Sequence, residues 1–338
     1  MRLGHFLAGF ILAAGAASAA PVPDETYMHP GQMVAIDGGR RLNLVCMGQG
    51  SPVVLFDSGL ADPSFVWRQV QGEVAKVTRA CAYDRAGIGF SDPRNGASDA
   101  RAIVADLHAL LPAAKIKTPI LYVGHSIAGL YGVLLQASHP SDLAGAVLVD
   151  PSFANQWDAL SSASIAAGAK PAAADALLAM LHKQVRRMKE CAALPAPLRK
   201  DCASSNSRLP PALAAFDKAQ ESRPSYLLTN ASEFESFLST KTDKNMDQKE
   251  LEAVTTNFGD KPLIVLTHSK PQSNPGFTAG QSAAMERAWK AGHDKLATLS
   301  SRGSNTVVPA STHYIQYDRP QVVIDAVKRA VADIRGRR

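Results

Sequence analysis

The chain has 338 residues, and 46% of them are hydrophobic, which is enough for one large α/β domain with an insertion or for two domains. The formal net charge is +6, but the 36 lysines and arginines are spread along the chain without interleaved aromatic residues, which argues against nucleic-acid binding. The four cysteines do not have the spacing of zinc ligands.

The first 19 residues have the pattern of a secretory signal peptide. Arg2 precedes an apolar run over residues 6–14, and residues 17–19 (Ala-Ser-Ala) form a small-residue cleavage site. The run is too short for a permanent transmembrane helix, although a membrane anchor is the alternative, and no later stretch reaches that length. We therefore expect cleavage near Ala19 and export to the periplasm or the medium, without stable membrane insertion.

Short apolar runs alternate with helical patterns along the rest of the chain. Residues 37–39 (Asp-Gly-Gly) are typical of a hairpin turn, and residues 98–111 have helical spacing with Ser98 as the expected N-cap. Further helices are predicted at residues 283–299 and 322–334. Because the strands are short and almost wholly apolar, the pattern indicates an α/β fold with a mostly parallel sheet flanked by helices. The eight predicted strands are residues 33–36, 42–46, 52–56, 80–83, 120–123, 144–149, 262–267 and 306–308.

Residues 152–259 interrupt this alternation. They are alanine-rich and helix-prone, contain no clear strand, and include an amphipathic helix marked by Leu177, Leu181 and Val185. A helical segment inserted between two strands of one sheet predicts a lid. The expected organisation is a signal peptide, a first part of the core, a helical lid and a second part of the core, at residues 1–19, 20–151, 152–260 and 261–338.

Residues 120–129 (Ile-Leu-Tyr-Val-Gly-His-Ser-Ile-Ala-Gly) read as a strand, a sharp turn and a helix. A serine at such a turn has a strained backbone and a hydroxyl exposed above the sheet, which is the geometry of a nucleophile elbow. Ala128 replaces the last glycine of the G-x-S-x-G pattern, with Gly129 directly after it. Ser126 is therefore the candidate nucleophile.

A serine hydroxyl needs a base within hydrogen-bond reach, and the base needs a carboxylate to orient it. His313 follows the last strand and precedes the last helix, so its loop is expected at the same sheet edge as Ser126. His268 also follows a strand and is the competing base. His125 adjoins the nucleophile, and we expect its side chain to serve in packing.

Together these motifs resemble the α/β-hydrolase superfamily over nearly the whole chain after the signal peptide. The resemblance implies an eight-stranded sheet, Ser126 as nucleophile and His313 as general base and acid. It also implies an oxyanion hole formed by the backbone N–H groups of Ile127 and Leu60. Many relatives have His-Gly where this chain has Ser-Gly at residues 58–59. The segments that carry the resemblance are residues 54–60, 84–92, 124–129, 148–150, 262–267 and 313–316.

The third member of the triad departs from the usual pattern. Most of the superfamily places the acid after the strand at residues 262–267, but no carboxylate occurs in residues 268–274. Some relatives place it one strand earlier, where this chain has Asp150. We therefore predict that Asp150 orients His313; the alternative is that Asp150 only caps the turn before Pro151.

Two further features depend partly on the resemblance. The superfamily's strand order makes the second and fourth strands neighbours, which implies a disulfide between Cys46 and Cys81. Cys191 and Cys202 are close in sequence and are predicted to form the other disulfide, as export permits. The loop at residues 84–92 is interpreted as structural, with glycines at turns and charges in a local ion pair or turn hydrogen bonds.

The predicted function is cleavage of a carboxylic ester through an acyl-enzyme, because relatives that open epoxides or displace halide have aspartate at the elbow. Amide, thioester and lactone hydrolysis remain alternatives, as does a ligand-binding protein that has lost catalysis. The expected partner is a small-molecule acyl substrate, with no nucleic acid, cofactor or metal, and the sequence predicts no oligomeric state.

Overall fold

Eight strands form a single sheet in the computed structural model of the chain, which describes residues 20–203, 206–240, 243–272 and 274–337. The predicted signal peptide at residues 1–19 lies outside the described residues. Among the described residues, no helix combines the length and the apolar character that crossing a membrane requires.

The sheet has the strand order β1-β2-β4-β3-β5-β6-β7-β8. The pairs β1–β2 and β2–β4 are antiparallel, and all the other pairs are parallel. The predicted mostly parallel sheet is therefore confirmed, and its strands are nearly continuous apolar runs because helices cover both faces. The strands are β1 Gln32–Ala35, β2 Arg41–Met47, β3 Val54–Asp57, β4 Ala80–Tyr83, β5 Ile120–His125, β6 Leu143–Val149, β7 Leu263–His268 and β8 Gly303–Val308.

Helices occupy the connections between the strands. The short ones, such as Glu25–Met28 and Gln71–Ala75, were missed because four or five residues are too few to display a helical period. Turns of 3₁₀-helix lie at Asp37–Gly39, Ser64–Trp67 and Pro140–Asp142. The α-helices are α1 Glu25–Met28, α2 Gln71–Ala75, α3 Ala100–Ala113, α4 Ala128–Ser138, α5 Gln156–Ala166, α6 Pro171–Ala192, α7 Ala196–Arg199, α8 Pro211–Glu221, α9 Pro224–Phe237, α10 Met246–Glu252, α11 Ala279–Ala297, α12 Ile315–Asp318 and α13 Pro320–Arg335.

The prediction of Ser98 as the N-cap of α3 is wrong. The helix begins at Ala100, and the Asp99 side chain accepts a hydrogen bond from the Ala102 amide at 2.9 Å. Asp99 has the extended backbone of a capping residue, whereas the Ser98 amide donates to the Ser232 hydroxyl at 2.9 Å. A carboxylate one residue further along therefore supplies the cap.

Successive strand residues point to opposite faces and form two buried clusters. Leu55 and Tyr122 belong to the cluster covered by α3, α4 and the end of α11, whereas Phe56 and Val123 belong to the cluster covered by α2 and α13. The inner strands β3 to β7 are thus buried on both faces, and functional side chains can emerge from them only where the strands end.

The stretch from residue 152 to residue 260 contains α5 to α10 and, among its described residues, no strand. It lies between β6 and β7 in the chain, and α6 packs along α9 while α5 packs along α11 of the core. Val185, Ala231 and Leu238 form a small apolar cluster inside the stretch. We call residues 152–260 the insertion.

Both predicted disulfides are confirmed. Cys46 and Cys81 face each other in the register of β2 and β4. Cys191 at the end of α6 is bonded to Cys202, and the pair closes a short loop within the insertion. All four cysteines of the chain are paired in this way.

Candidate active site

Ser126 lies at the turn between β5 and α4, at the carboxyl edge of the sheet. Its φ is 55°, in the left-handed region that is costly for a residue with a side chain. The Ser126 amide donates to the Val149 carbonyl at 3.1 Å, and its carbonyl accepts from the Ser152 amide at 2.8 Å. These two bonds hold the strained turn against the end of β6.

The local packing explains why Ala128 is tolerated and which glycines are required. A Cβ added at Gly129 would lie 2.3 Å from the Pro151 Cβ, and one at Gly124 would lie 2.7 Å from Tyr122 Cε1. The Ala128 methyl, by contrast, is fully buried in the core that covers this face of the sheet. The close approach that the turn needs is therefore provided by Gly124 and Gly129.

The structure brings the three predicted triad side chains together. Ser126 Oγ lies 2.9 Å from His313 Nε2, and His313 Nδ1 lies 2.6 Å from Asp150 Oδ2. Asp150 follows β6, is fully buried and has a φ of 47°. Its carboxylate contacts side chains from other elements, so the alternative in which it only caps the turn before Pro151 does not account for its position.

Four donors surround the Asp150 carboxylate. Oδ1 accepts from the His268 amide at 3.0 Å and from Trp289 Nε1 at 3.2 Å, while Oδ2 faces His313 and, at 2.7 Å, His268 Nδ1. Burial alone would raise the pKa of this carboxyl, but the hydrogen bonds from His268 and His313 outweigh burial and hold its pKa well below the usual range. Asp150 is therefore ionised at neutral pH.

His268 ends β7, where most of the superfamily has the acid. Its Nδ1 faces Asp150, and its Nε2 lies 2.9 Å from Glu286 Oε2 on α11. Both ring nitrogens are thus engaged with carboxylates, which leaves neither for Ser126, and His313 is the histidine that faces the Ser126 hydroxyl. Burial would lower the pKa of His268, but the hydrogen bonds to Asp150 and Glu286 outweigh it and raise the pKa to about 10.

Sequence reasoning missed Glu286 and Trp289. They lie three residues apart on α11, so they share a face of that helix. That spacing was the only available signal, because nothing in the sequence indicates which face of α11 turns toward Asp150.

His125 does more than the packing expected of it. Its Nε2 donates to the His313 carbonyl at 3.0 Å, and its ring lies 4.8 Å from the ring of His313 and 5.0 Å from that of Tyr314. Burial lowers the pKa of His125, which therefore remains neutral. His125 thus anchors the backbone of His313, the histidine that faces Ser126.

The two amides expected to form an oxyanion hole, those of Leu60 and Ile127, follow β3 and the elbow respectively. Among the described residues, neither N–H donates a hydrogen bond to another group. Behind the Leu60 loop, Arg85 donates to the carbonyls of Ser58 at 2.6 Å and Gly59 at 2.5 Å. Arg85 therefore fixes two successive carbonyls of the loop that leads to Leu60.

Arg85 is also the centre of a buried ion-pair network. It contacts Asp57 Oδ1 at 2.7 Å and Glu233 on α9 at 2.9 and 3.0 Å, and all three side chains are at most 3% exposed. The interpretation of the charges in the loop at residues 84–92 as a local pair is therefore wrong for Arg85. Asp84, in contrast, does make turn hydrogen bonds, for example with the Phe90 amide.

A cavity of about 320 Å³ opens beside Ser126 and His313. Its walls come mainly from the insertion and from α11, and the described lining includes no lysine or arginine. Glu286 is the only carboxylate among the described lining residues, and it is already paired with His268. The apolar wall is formed by Leu160, Leu177, Leu178, Leu181, Phe237 and Met285.

Two groups of side chains in the described part of the chain could be considered as metal ligands. Asp150, His268 and His313 are joined by the hydrogen bonds given above. His108 and His139 lie near Asp142 at the surface, with their rings stacked 3.7 Å apart and 11° from parallel. Ring lone pairs lie in the ring planes, so those of two stacked rings do not converge on one ion. Neither arrangement indicates a metal centre.

Comparison with known proteins places this geometry in context. Residues 53–326 match the sequence profile of the alpha/beta hydrolase family. The uncharacterized protein YqjL of Bacillus subtilis (strain 168) is 31% identical over 106 residues, which are 31% of this chain and 42% of YqjL. The match thus spans less than half the length of that curated relative.

Two solved structures are similar in fold. An alpha/beta hydrolase fold protein from Burkholderia ambifaria has a TM-score of 0.60 at 19% identity, covering 88% of this chain and 99% of that one. A thermophilic esterase from Thermogutta terrifontis has a TM-score of 0.55 at 17% identity, covering 90% of this chain and 98% of that one. At these identities the likeness shows the fold alone.

Proposed function

The chain belongs to the alpha/beta hydrolase family, and from that premise we propose that it is a serine hydrolase that cleaves carboxylic esters through an acyl-enzyme. The observation that carries this proposal is the unbroken chain of contacts from Ser126 Oγ through His313 to Asp150, at 2.9 and 2.6 Å. A hydroxyl, an imidazole and a buried carboxylate in this order are the parts of a nucleophilic triad, and the triad is recognised by geometry.

In the proposed reaction, Ser126 Oγ attacks the ester carbonyl carbon while His313 Nε2 takes the hydroxyl proton. His313 Nδ1–H donates to Asp150, which fixes the tautomer and stabilises the imidazolium. The imidazolium then gives its proton to the leaving alcohol, and the acyl group remains on Ser126. Water, deprotonated by His313, then attacks the acyl-enzyme. The bond between the acyl carbon and Ser126 Oγ breaks, the carboxylic acid is released, and the His313 imidazolium returns its proton to Ser126 Oγ.

The oxyanion that forms in each step is proposed to accept from the N–H groups of Ile127 and Leu60. The Gly59 carbonyl and the Leu60 N–H belong to one trans peptide and point in opposite directions. Because Arg85 holds that carbonyl at 2.5 Å, it also fixes the direction of the Leu60 N–H. A donor fixed before the reaction stabilises the oxyanion without reorganisation.

The cavity supports a substrate class. Its wall is apolar, the described lining contains no lysine or arginine, and both ring nitrogens of His268 are already engaged with carboxylates. The site therefore favours an uncharged ester with an apolar acyl group over a substrate that carries a carboxylate. The insertion supplies most of that wall, and we propose that residues 152–260 act as a lid that sets substrate size. We also propose export directed by residues 1–19, which the two disulfides support because they persist in oxidising compartments.

A panel of p-nitrophenyl esters with increasing acyl length tests the proposal on the parent protein and on Ser126→Ala. We expect turnover of uncharged esters by the parent and loss of at least about 10³-fold in the variant. Labelling by a fluorophosphonate probe provides an independent readout. Labelling of Ser126 without turnover of any ester would indicate an amidase, thioesterase or lactonase, and absence of labelling would indicate a ligand-binding protein.

A further inference from the structure

We propose that His268 and Glu286 are positioning residues for the triad: a protonated His268 bridges the Glu286 and Asp150 carboxylates, fixes Asp150 and offsets part of its charge. This inference rests on the proposed function for its catalytic meaning. It assigns a role to the sheet position from which the usual acid is missing.

The geometry forms one continuous line of contacts. Asp150 Oδ2 lies 2.6 Å from His313 Nδ1 and 2.7 Å from His268 Nδ1, and His268 Nε2 lies 2.9 Å from Glu286 Oε2. The His268 side chain is 1% exposed, so water does not provide an alternative partner for either ring nitrogen. The other oxygen of Glu286 accepts from the Gln272 amide at 2.9 Å, which fixes the far end of the line.

The protonation state follows from the partners. A neutral imidazole carries one N–H, so one of the two contacts would set a nitrogen lone pair against a carboxylate oxygen. An imidazolium donates at both ends, and each bond is then charge-assisted. The raised pKa of His268, about 10, agrees with this geometry.

The ionisable groups around His268 come from three elements. Asp150 follows β6, Glu286 and His293 lie on α11, and His313 follows β8. His293 carries no charge at neutral pH, since burial lowers its pKa to about 4. The imidazolium of His268 therefore lies directly against Asp150 and is bonded to neither Ser126 nor His293.

A cation at this place changes the behaviour of the base. Asp150 attracts a proton to His313, and the positive charge of His268 weakens that attraction. His313 should therefore release its proton, and become able to act as a base, at a lower pH than it would beside an Asp150 without that neighbour. The pair also keeps Asp150 ionised and aimed at His313.

The test compares His268→Gln with His293→Gln in the full chain. Glutamine keeps a donor for Asp150 but removes the charge, so the acid limb of the pH profile of kcat/KM should move to higher pH, by on the order of one unit. His293 is the matched control: it is also a buried histidine close to this cluster, bonded to Thr267 and to the Pro151 carbonyl, but it contributes no charge. Its substitution should leave the acid limb in place.

A second measurement does not require turnover. Histidine ¹⁵N NMR in the Ser126→Ala background should show the protonation midpoint of His313 moving upward by a similar amount in His268→Gln and not in His293→Gln. An unchanged midpoint overturns the proposal. If no ester is hydrolysed but the midpoint moves, the proposed function fails while the electrostatic role of His268 stands.

Glu286→Gln keeps the proposal testable if His268→Gln does not fold. Glu286 is 23% exposed, so its substitution disturbs the core less. Loss of its charge should lower the pH at which His268 itself deprotonates by at least about one unit, again read by ¹⁵N NMR. If the protonation midpoint of His268 in Glu286→Gln equals that in the parent, Glu286 does not stabilise the protonated form of His268. That result would overturn the bridging role.

Discussion

Buried carboxylates have opposite protonation states at the end of the sheet and in the insertion. Asp150 and Asp247 are both fully buried. Asp150 has four donors, and its pKa lies below the usual range, whereas burial raises the pKa of Asp247 to about 8 although the Ala100 amide donates to it at 2.9 Å. The second oxygen of Asp247 has no partner among the described residues.

The supply of donors, and not burial, therefore decides whether each of these carboxylates keeps its charge. The core directs imidazole, indole and amide N–H groups at Asp150, which suits its proposed role of stabilising an imidazolium. Asp247 in the insertion accepts from one amide, that of Ala100 in α3, and the nearby carboxylates of Glu250, Asp99 and Glu233 favour its neutral form. The insertion should therefore respond to alkaline pH while Asp150 does not.

The substitution with the largest expected effect is Asp150→Asn, which removes the charge of the Asp150 side chain but keeps its size. We expect kcat/KM to fall by about 10³- to 10⁴-fold, because His313 loses the carboxylate that fixes its tautomer and stabilises its charged form. Ester turnover at saturating and limiting substrate measures the effect, with circular dichroism as the check on folding. Activity within a few-fold of the parent would remove Asp150 from the triad.

Arg85→Met tests how much the buried ion pairs of Arg85 with Asp57 and Glu233 stabilise the protein. The change leaves Asp57 and Glu233 buried without a cation, so we expect a loss of about 3 to 5 kcal/mol in the free energy of unfolding, measured by urea denaturation. Turnover should fall as well, since the Gly59 carbonyl loses its donor.

Arg41→Met is the matched control for Arg85→Met. Arg41 pairs with Asp92 at the end of the same loop, but its side chain is 56% exposed, so water replaces the lost contact and stability should change little. Equal losses of stability in the two variants would contradict the contrast between buried and exposed pairs.

Asp247→Asn should flatten part of the pH dependence of stability. The pKa of Asp247 is raised on folding, so the parent loses the associated stability as the pH rises from about 4 through about 8. Asparagine keeps the acceptor for Ala100 and cannot ionise. Thermal unfolding should therefore show that the stability of the variant, relative to that of the parent, increases between pH 6 and pH 9. A stability difference that does not depend on pH would refute the assignment.

Asp217→Asn should have the smallest effect, in the same direction. Burial raises the pKa of Asp217 to about 7, with further contributions from Glu221 and Asp62. The stability difference between the variant and the parent should grow as the pH rises and level off above about pH 7. For Asp247→Asn it should level off at a higher pH. A plateau at the same pH in both variants would indicate a single coupled event in place of two separate sites.

The site residues that could be predicted from the sequence are those whose position depends on one local segment or on the end of one strand. The apolar strand before Ser126, the small residues after it and the loop that carries His313 are local patterns, and the ends of parallel strands meet at one edge of the sheet. Asp150 was predicted from the resemblance, because some relatives place the acid after this strand.

The remaining contacts could not be predicted because they join distant elements whose rotation the sequence does not specify. Arg85 reaches Glu233 across 148 residues, and Glu286 faces His268 only because of the rotational setting of α11. The cap of α3 was misplaced by one residue for a smaller reason: Ser98 and Asp99 are both good capping residues, and the choice depended on a bond from the Ser98 amide to the insertion.

The contact between Arg85 and Glu233 has a consequence for protein engineering. The insertion looks like a module that could be exchanged to obtain a new substrate range, because it enters and leaves the core between two strands. Yet one of its helices carries the counterion of the residue that holds the loop of the proposed oxyanion hole. A replacement for the insertion must therefore bring a carboxylate to the position of Glu233. Otherwise a change of substrate specificity will also lower the catalytic rate.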